Sequence, residues 1–168
     1  MREMERFNAI KNRYWAKYLK YQNNKWYLDD VVGDLLEKLV ALAFERLEWR
    51  VTRGRTRNID MTLEKSNDPS KKIVIETTNW EILSTTHSAY YYSKIKALEK
   101  FKKQGYTSVW IMTFFENFEL ETDKPQDYGI EIIETRKQLL PQNLSYDDYK
   151  ELKRLIKAKL KELGFIKR

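Results

Sequence analysis

The stretch Lys72 to Thr78 constrains this chain more than any other. Ile73, Val74 and Ile75 are β-branched, which predicts a strand, yet Glu76 stands inside the same run. A carboxylate in an apolar strand is costly to bury unless cations or hydrogen-bond donors pair with it. Upstream, Asn58 to Leu63 alternates weakly and reads as a second strand. Between the two, Lys65 to Lys71 holds Ser66, Asn67, Asp68 and Pro69, which is turn chemistry. The pattern predicts an antiparallel hairpin with Asp60 in its first arm and Glu76 near the end of its second. Adjacent strands lie roughly 5 Å apart, so carboxylates on the two arms can share one metal ion.

Around this hairpin the periodicity is mostly helical. Phe7, Ile10, Tyr14, Tyr18 and Tyr21 mark a helix within Met1 to Lys25. Its aromatic character makes it a covering or dimerising element. Asp29 or Asp30 can cap a second helix to about Glu48, with Val32, Leu35, Leu36, Leu39, Val40, Ala43 and Leu47 inward. Trp49 to Thr52 reads as a short strand, and Arg53 to Arg57 as a basic turn around Gly54. A third helix is expected over His87 to Lys103, with Tyr91, Ile95, Leu98 and Phe101 inward and Gly105 as its stop. Ser108 to Phe114 reads as a buried strand and Ile130 to Ile133 as an edge strand. Ser145, with Asp148 three residues on, opens a last helix that turns Tyr149, Leu152, Ile156, Leu160 and Leu163 inward. The expected fold is α/β, a mixed sheet of four to five strands flanked by helices. At 168 residues one domain is expected: a helical extension over 1–28, a core over 29–115, and a C-terminal edge strand and helix over 116–168.

Composition narrows the chemistry. There is no cysteine and a single histidine, His87, which excludes disulfides, thiolate sites and multi-imidazole zinc. Any metal must be a hard cation held by carboxylates, with Mg2+ or Mn2+ the natural candidates. The net charge of +7 favours a polyanionic partner such as DNA. No apolar run approaches the roughly 20 residues that span a bilayer. No helix combines a strong apolar face with clustered lysines at its border, which disfavours a peripheral membrane role. Met1 to Arg13 is charged throughout and does not read as a secretory signal, so a cytoplasmic location is expected.

Two or three carboxylates around a divalent ion suit phosphodiester hydrolysis, because the ion activates water and neutralises phosphate charge. On the flank of the second helix, Gly33 stands four residues before Glu37, on one helical face. A glycine there leaves room for a close backbone or phosphate approach. This Gly33 to Glu37 segment, the strand ending at Arg53, then Asn58, Ile59 and Asp60, then Ile73 to Thr78, together resemble the PD-(D/E)XK nuclease core. Within that superfamily the pattern is most similar to archaeal Holliday-junction resolvases. The resemblance covers about Val31 to Thr78 and extends loosely through the third helix and the strand at Ser108 to Phe114. It implies a restriction-endonuclease-like core, with Asp60 and Glu76 as metal ligands and Glu37 supporting the metal or its waters; Asp34 is an alternative to Glu37. It further implies a Mg2+- or Mn2+-dependent nuclease acting on DNA, with branched or structured DNA among its substrates. The motif lysine should stand at residue 78, where this chain has Thr78, and the motif proline is replaced by Ile59. Thr78 can donate a hydrogen bond but carries no charge. Lys94 or Lys96 on the third helix is the candidate replacement cation, followed by Arg53 or Arg57.

Arg53, Arg55 and Arg57, with Arg50, surround Gly54 and are candidates for phosphate contacts; the alternative is a solvated basic turn. Trp80 is expected to pack, with base stacking as the alternative. Among Tyr90, Tyr91 and Tyr92 at least one should be core, leaving the others for a groove or a dimer contact. His87 reads as a helix-start or surface residue before a catalytic one. Cutting two strands in register calls for two sites, so a twofold homodimer is expected. Two competing functions remain. One is a catalytically impaired nuclease fold serving as a nucleic-acid-binding module; the other is an unrelated α/β interaction protein whose charge is incidental.

Overall fold

Ile73, Val74 and Ile75 have no solvent exposure because they sit at the centre of the sheet. The computed structural model describes residues 2–54, 59–81, 88–115 and 124–166. Its strands are β1 (Trp49–Arg53), β2 (Met61–Lys65), β3 (Asp68–Thr78), β4 (Thr107–Met112) and β5 (Glu131–Glu134), in that spatial order. β1, β2 and β3 run antiparallel to one another; β4 pairs parallel with β3, and β5 parallel with β4. The helices are α1 (Glu3–Lys20) and α2 (Lys25–Arg46) before the sheet, α3 (Ser88–Lys103) between β3 and β4 in the chain, and α4 (Tyr146–Glu162) at the end. A 3-10 turn, Pro125–Tyr128, leads into β5. This is the α/β architecture expected, a mixed five-stranded sheet flanked by helices.

β3 is buried on both faces, and its side chains divide by parity. Ile73 and Ile75 join Met61, Leu63, Val109 and Ile111 in a core packed with α1, α2 and α4. Val74 joins Trp110 and Met112 in a second core with Tyr91, Ile95 and Leu98 of α3. Glu76 has the parity of Val74, so it faces the α3 side. α2 is apolar around most of its circumference because it is enclosed: Leu35, Leu36, Leu39, Val40 and Ala43 are all fully buried. α1 lays Phe7 and Tyr14 into the same core and has a covering role. Its start is tied to α4, where Tyr149 Oη (2.5 Å) and Lys153 Nζ (2.9 Å) donate to Glu3. α4 opens on the expected capping box of Ser145 and Asp148.

Several boundaries differ from the sequence reading. α2 is capped by Asn24, whose side chain accepts from the Tyr27 amide, so Asp29 and Asp30 lie inside the helix. The helix ends at Arg46, and Glu48, at φ 70°, turns the chain into β1. The hairpin turn is only Ser66 and Asn67; Asp68 to Lys71 already belong to β3, after a register shift between Glu64 and Lys65. Pro69 is tolerated because β4 pairs with β3 only from Ile73 onward, so no ladder needs its missing N–H. The fourth strand stops at Met112, and Phe114 emerges half-exposed. Asn58, Arg55, Arg57 and His87 lie outside the described residues. Among the described residues no helix is long and apolar enough to cross a membrane.

Asn79 locks the end of β3 in place. It is 3% exposed. Its Nδ2 donates to the carbonyls of Val32 on α2 and Leu139, both at 2.8 Å, and its Oδ1 accepts from the Leu139 amide at 3.0 Å. Asn79→Ala removes all three bonds and strands the Leu139 amide. We expect a loss of about 2–4 kcal/mol, read as a lower urea midpoint at unchanged m-value; a loss within about 0.5 kcal/mol would refute the clamp.

Candidate functional site

Where β3 ends, the first turns of α2 and α3 flank a cleft of about 320 Å³. Antiparallel register brings its first two carboxylates together. Met61 pairs with Ile75, so Asp60, one residue before β2, stands opposite Glu76, and its amide donates to the Ile75 carbonyl at 3.1 Å. Asp60 Oδ2 accepts from both the amide and the hydroxyl of Thr77, each at 2.7 Å. Those bonds fix the carboxylate and leave Oδ1 without a hydrogen bond from the described residues. Glu76 is 2% exposed; Lys94 Nζ lies 3.3 Å from its Oε1, while its Oε2 has no hydrogen-bond partner among the described residues.

Thr78, on the same strand face as Glu76, is consumed by a buried network. Trp110 Nε1 donates to Thr78 Oγ1 at 2.9 Å, and Thr78 Oγ1 lies 2.8 Å from Tyr90 Oη. Tyr90 Oη in turn donates to Glu76 Oε1 over a long 3.5 Å. Protons ordered from Trp110 through Thr78 and Tyr90 to Glu76 satisfy all three donors. Tyr90 and Lys94 are one helical turn apart on α3, so the periodicity that turns Lys94 inward also turns Tyr90 inward. That spacing was the available signal for Tyr90. Lys96 lies on the exposed side of α3, so of the two lysines only Lys94 reaches the cleft.

Glu37 and Gly33 line the cleft from α2. A Cβ built at Gly33 meets no atom within 4 Å, so packing does not demand a glycine; the open space belongs to the cleft. Arg53 closes β1 and is not part of a loop. Its Nε donates to Glu37 Oε1 and its Nη2 to Asp34 Oδ1, each at 3.0 Å, and Nη2 also lies 2.9 Å from Glu37 Oε1 as an ion pair. Tyr14 donates a short hydrogen bond to the other oxygen of Asp34. Trp80 packs on the Tyr90 ring at 4.4 Å between centroids. Tyr91 is core and Tyr92 is exposed.

Asp29 and Asp30 complete a set of six carboxylates on a cleft where the lining cation is Lys94, in a chain whose net charge is +7. Burial, then the Asp60 charge, pushes the Glu76 carboxyl well above its ordinary 4.5, against the pull of Lys94. Burial and the Asp60 charge also raise Glu37, with Arg53 opposing. Burial and the Glu76 charge raise the Tyr90 phenol. The donor set is entirely oxygen and suits a hard cation. The orphaned Glu76 Oε2 beside Asp60 is the position a cation would satisfy. Among the described residues no three acidic side chains converge closely enough to ligate an ion, Glu37 being held by Arg53. Two carboxylates with water filling the remaining positions is a common arrangement for Mg2+.

No known family profile matches the chain, and no curated protein sequence does. Among solved structures it is similar to Pyrococcus furiosus SfsA in complex with Ca2+, at 20% identity and a TM-score of 0.41. The similarity covers 62% of this chain and 56% of that one, so this chain spans just over half of that protein's length.

The raised Glu76 pKa sets a pH dependence for the metal-free protein. The folded state binds this proton more tightly than the unfolded chain. The resulting stability is present below 4.5 and is lost as pH rises through the folded value. Glu76→Gln abolishes that loss, so its melting temperature should gain on wild type steadily from mildly acidic to mildly alkaline pH. A gap that stays constant across that range would contradict the assignment.

Proposed function

We propose that this chain is a divalent-metal-dependent nuclease of the PD-(D/E)XK type, hydrolysing phosphodiester bonds in DNA. The observation that supports it best is Glu76: a carboxylate 2% exposed, with one oxygen unpartnered among the described residues and Asp60 opposite it at the start of the neighbouring strand. Asp60 and Glu76 would hold Mg2+ or Mn2+. When bound, the ion supplies Lewis acidity, making water acidic enough to attack at neutral pH and neutralising phosphate charge.

The residues of the chain do the rest. Thr77 holds Asp60 in one orientation. Lys94 brings from α3 the positive charge that the motif places on the strand, where Thr78 now serves the Trp110–Tyr90 network. Lys94, whose Nζ lies 3.3 Å from Glu76 Oε1, would supply positive charge to the attacking water or the phosphate. Arg53 holds Glu37 and Asp34 at the rim and can exchange those carboxylates for a phosphate oxygen. Branched or structured DNA fits this reading, and a twofold homodimer would place one such site on each strand.

The measurement is cleavage of labelled single-stranded, duplex and branched DNA with Mg2+ or Mn2+, alongside calorimetric titration of the metal. Asp60→Asn and Glu76→Gln should abolish both cleavage and metal binding. Lys94→Ala should keep metal binding and lose about 10²-fold in cleavage rate. Metal-dependent cutting that survives Glu76→Gln would reject the assignment. A second reading, a nucleic-acid-binding module without turnover, draws on the enclosure of Thr78 and on the contact of Lys94 with Glu76. It calls for salt-sensitive DNA binding that persists in Asp60→Asn and no cleavage under any metal.

A further inference from the structure

Between Lys11 and Leu28 the chain has five cations, six aromatic residues and no acidic residue. This stretch forms the end of α1, the corner Gln22 to Asn24, and the start of α2. Trp26 is 84% exposed and Tyr27 53% exposed. A tryptophan so far from the core stabilises no packing, and large rings left in water mark interaction surfaces. Tyr27 packs on Tyr21 at 5.0 Å between centroids, Lys20 Nζ lies 5.3 Å from the Tyr21 ring, and Lys17 Nζ lies 5.0 Å from the Tyr14 ring. A hollow of about 280 Å³ opens here, lined by Tyr14, Lys17, Tyr21, Tyr27, Asp30 and Asp34. Asp30 and Asp34 also line the acidic cleft, so the two spaces are neighbours that share one wall.

We propose that the α1–α2 corner binds a single-stranded nucleic acid segment, stacking unpaired bases on Trp26 and Tyr27 and delivering the adjoining backbone to the acidic cleft. Exposed rings interleaved with lysines recognise a polyanion whose bases present open faces, and base–aromatic stacking is sequence-tolerant. A duplex covers those faces with neighbouring base pairs, so the rings discriminate against it. Lys17, Lys20 and Lys25 match phosphate charge, and acidic side chains enter only at Asp30 and Asp34, on the wall the hollow shares with the cleft. The delivery step rests on the nuclease reading above; the binding step is measured separately from it.

The test is fluorescence anisotropy of a labelled oligothymidylate of about 20 nucleotides, and of a duplex of equal length, in EDTA so that cleavage plays no part. The Trp26→Ala/Tyr27→Ala double variant should bind the single strand roughly ten-fold or more weakly, with the duplex changed less than about three-fold and thermal melting unchanged. Glu76→Gln should bind the single strand at least as tightly as wild type, so an inactive cleft and a misassigned corner give different results. Unchanged single-strand affinity in the double variant, or equal losses on both DNAs, overturns the proposal. So does a double variant that turns a dimer into a monomer by light scattering, which makes the corner a subunit interface. Wild-type sedimentation with phosphatidylserine vesicles that the double variant loses overturns it in favour of a membrane surface.

Discussion

A carboxylate buried at the end of the central strand organises this molecule. Glu76 lies between β2 and β4, where solvent does not reach, and its only cation among the described residues is Lys94 from α3. Taking both charges out of water is expensive, and their attraction offsets it only when the remaining lone pairs are satisfied. Here one oxygen has no partner among the described residues. The pair is therefore poor as a stabilising device. α3 must pack where it does for Lys94 and Tyr90 to reach this point, so the second hydrophobic core and the polar cluster depend on each other.

The opposite wall has its own electrostatic logic. Asp34 and Glu37 project from α2 one helical turn or less apart, and Arg53 at the end of β1 draws them together. The arginine ties the helix to the sheet edge. Tyr14 from α1 shares Asp34, which carries the coupling out to the N-terminal helix. The acidic cleft, its arginine clamp and the aromatic corner thus form one connected surface running from β3 to α1. The acidic centre therefore sits in a chain whose net charge is positive, so the local potential of the cleft is opposite in sign to that of the whole molecule.

Much of the fold was legible because β3, α2, α3 and α4 carry strong periodic patterns. The inward sets on α2, α3 and α4 are core residues as expected, apart from Leu47, Phe101 and Leu163, which are only partly buried. What misled was punctuation. Asp29 and Asp30 resemble caps, yet Asn24 is the cap, because the helix continues back through Trp26 and Tyr27, whose exposed rings carry no inward pattern. Lys65 to Lys71 resembles one long turn, yet only Ser66 and Asn67 turn, and Asp68 to Lys71 already belong to β3 beside a bulge. Local composition reports which conformations are allowed, and the ladder decides which residues are used.

The sequence by itself determined the hairpin and the meeting of Asp60 with Glu76, because both depend on contacts close along the chain and on a period of two. It also determined that any metal chemistry must run on carboxylates. Only the tertiary structure decided that Lys94, and not Lys96, faces Glu76, that Tyr90 joins it, that Thr78 is spent on Trp110, and that Arg53 grips α2. Those contacts join residues 12 to 32 positions apart through different elements, and their geometry is set by how α2 and α3 pack on the two faces of the sheet.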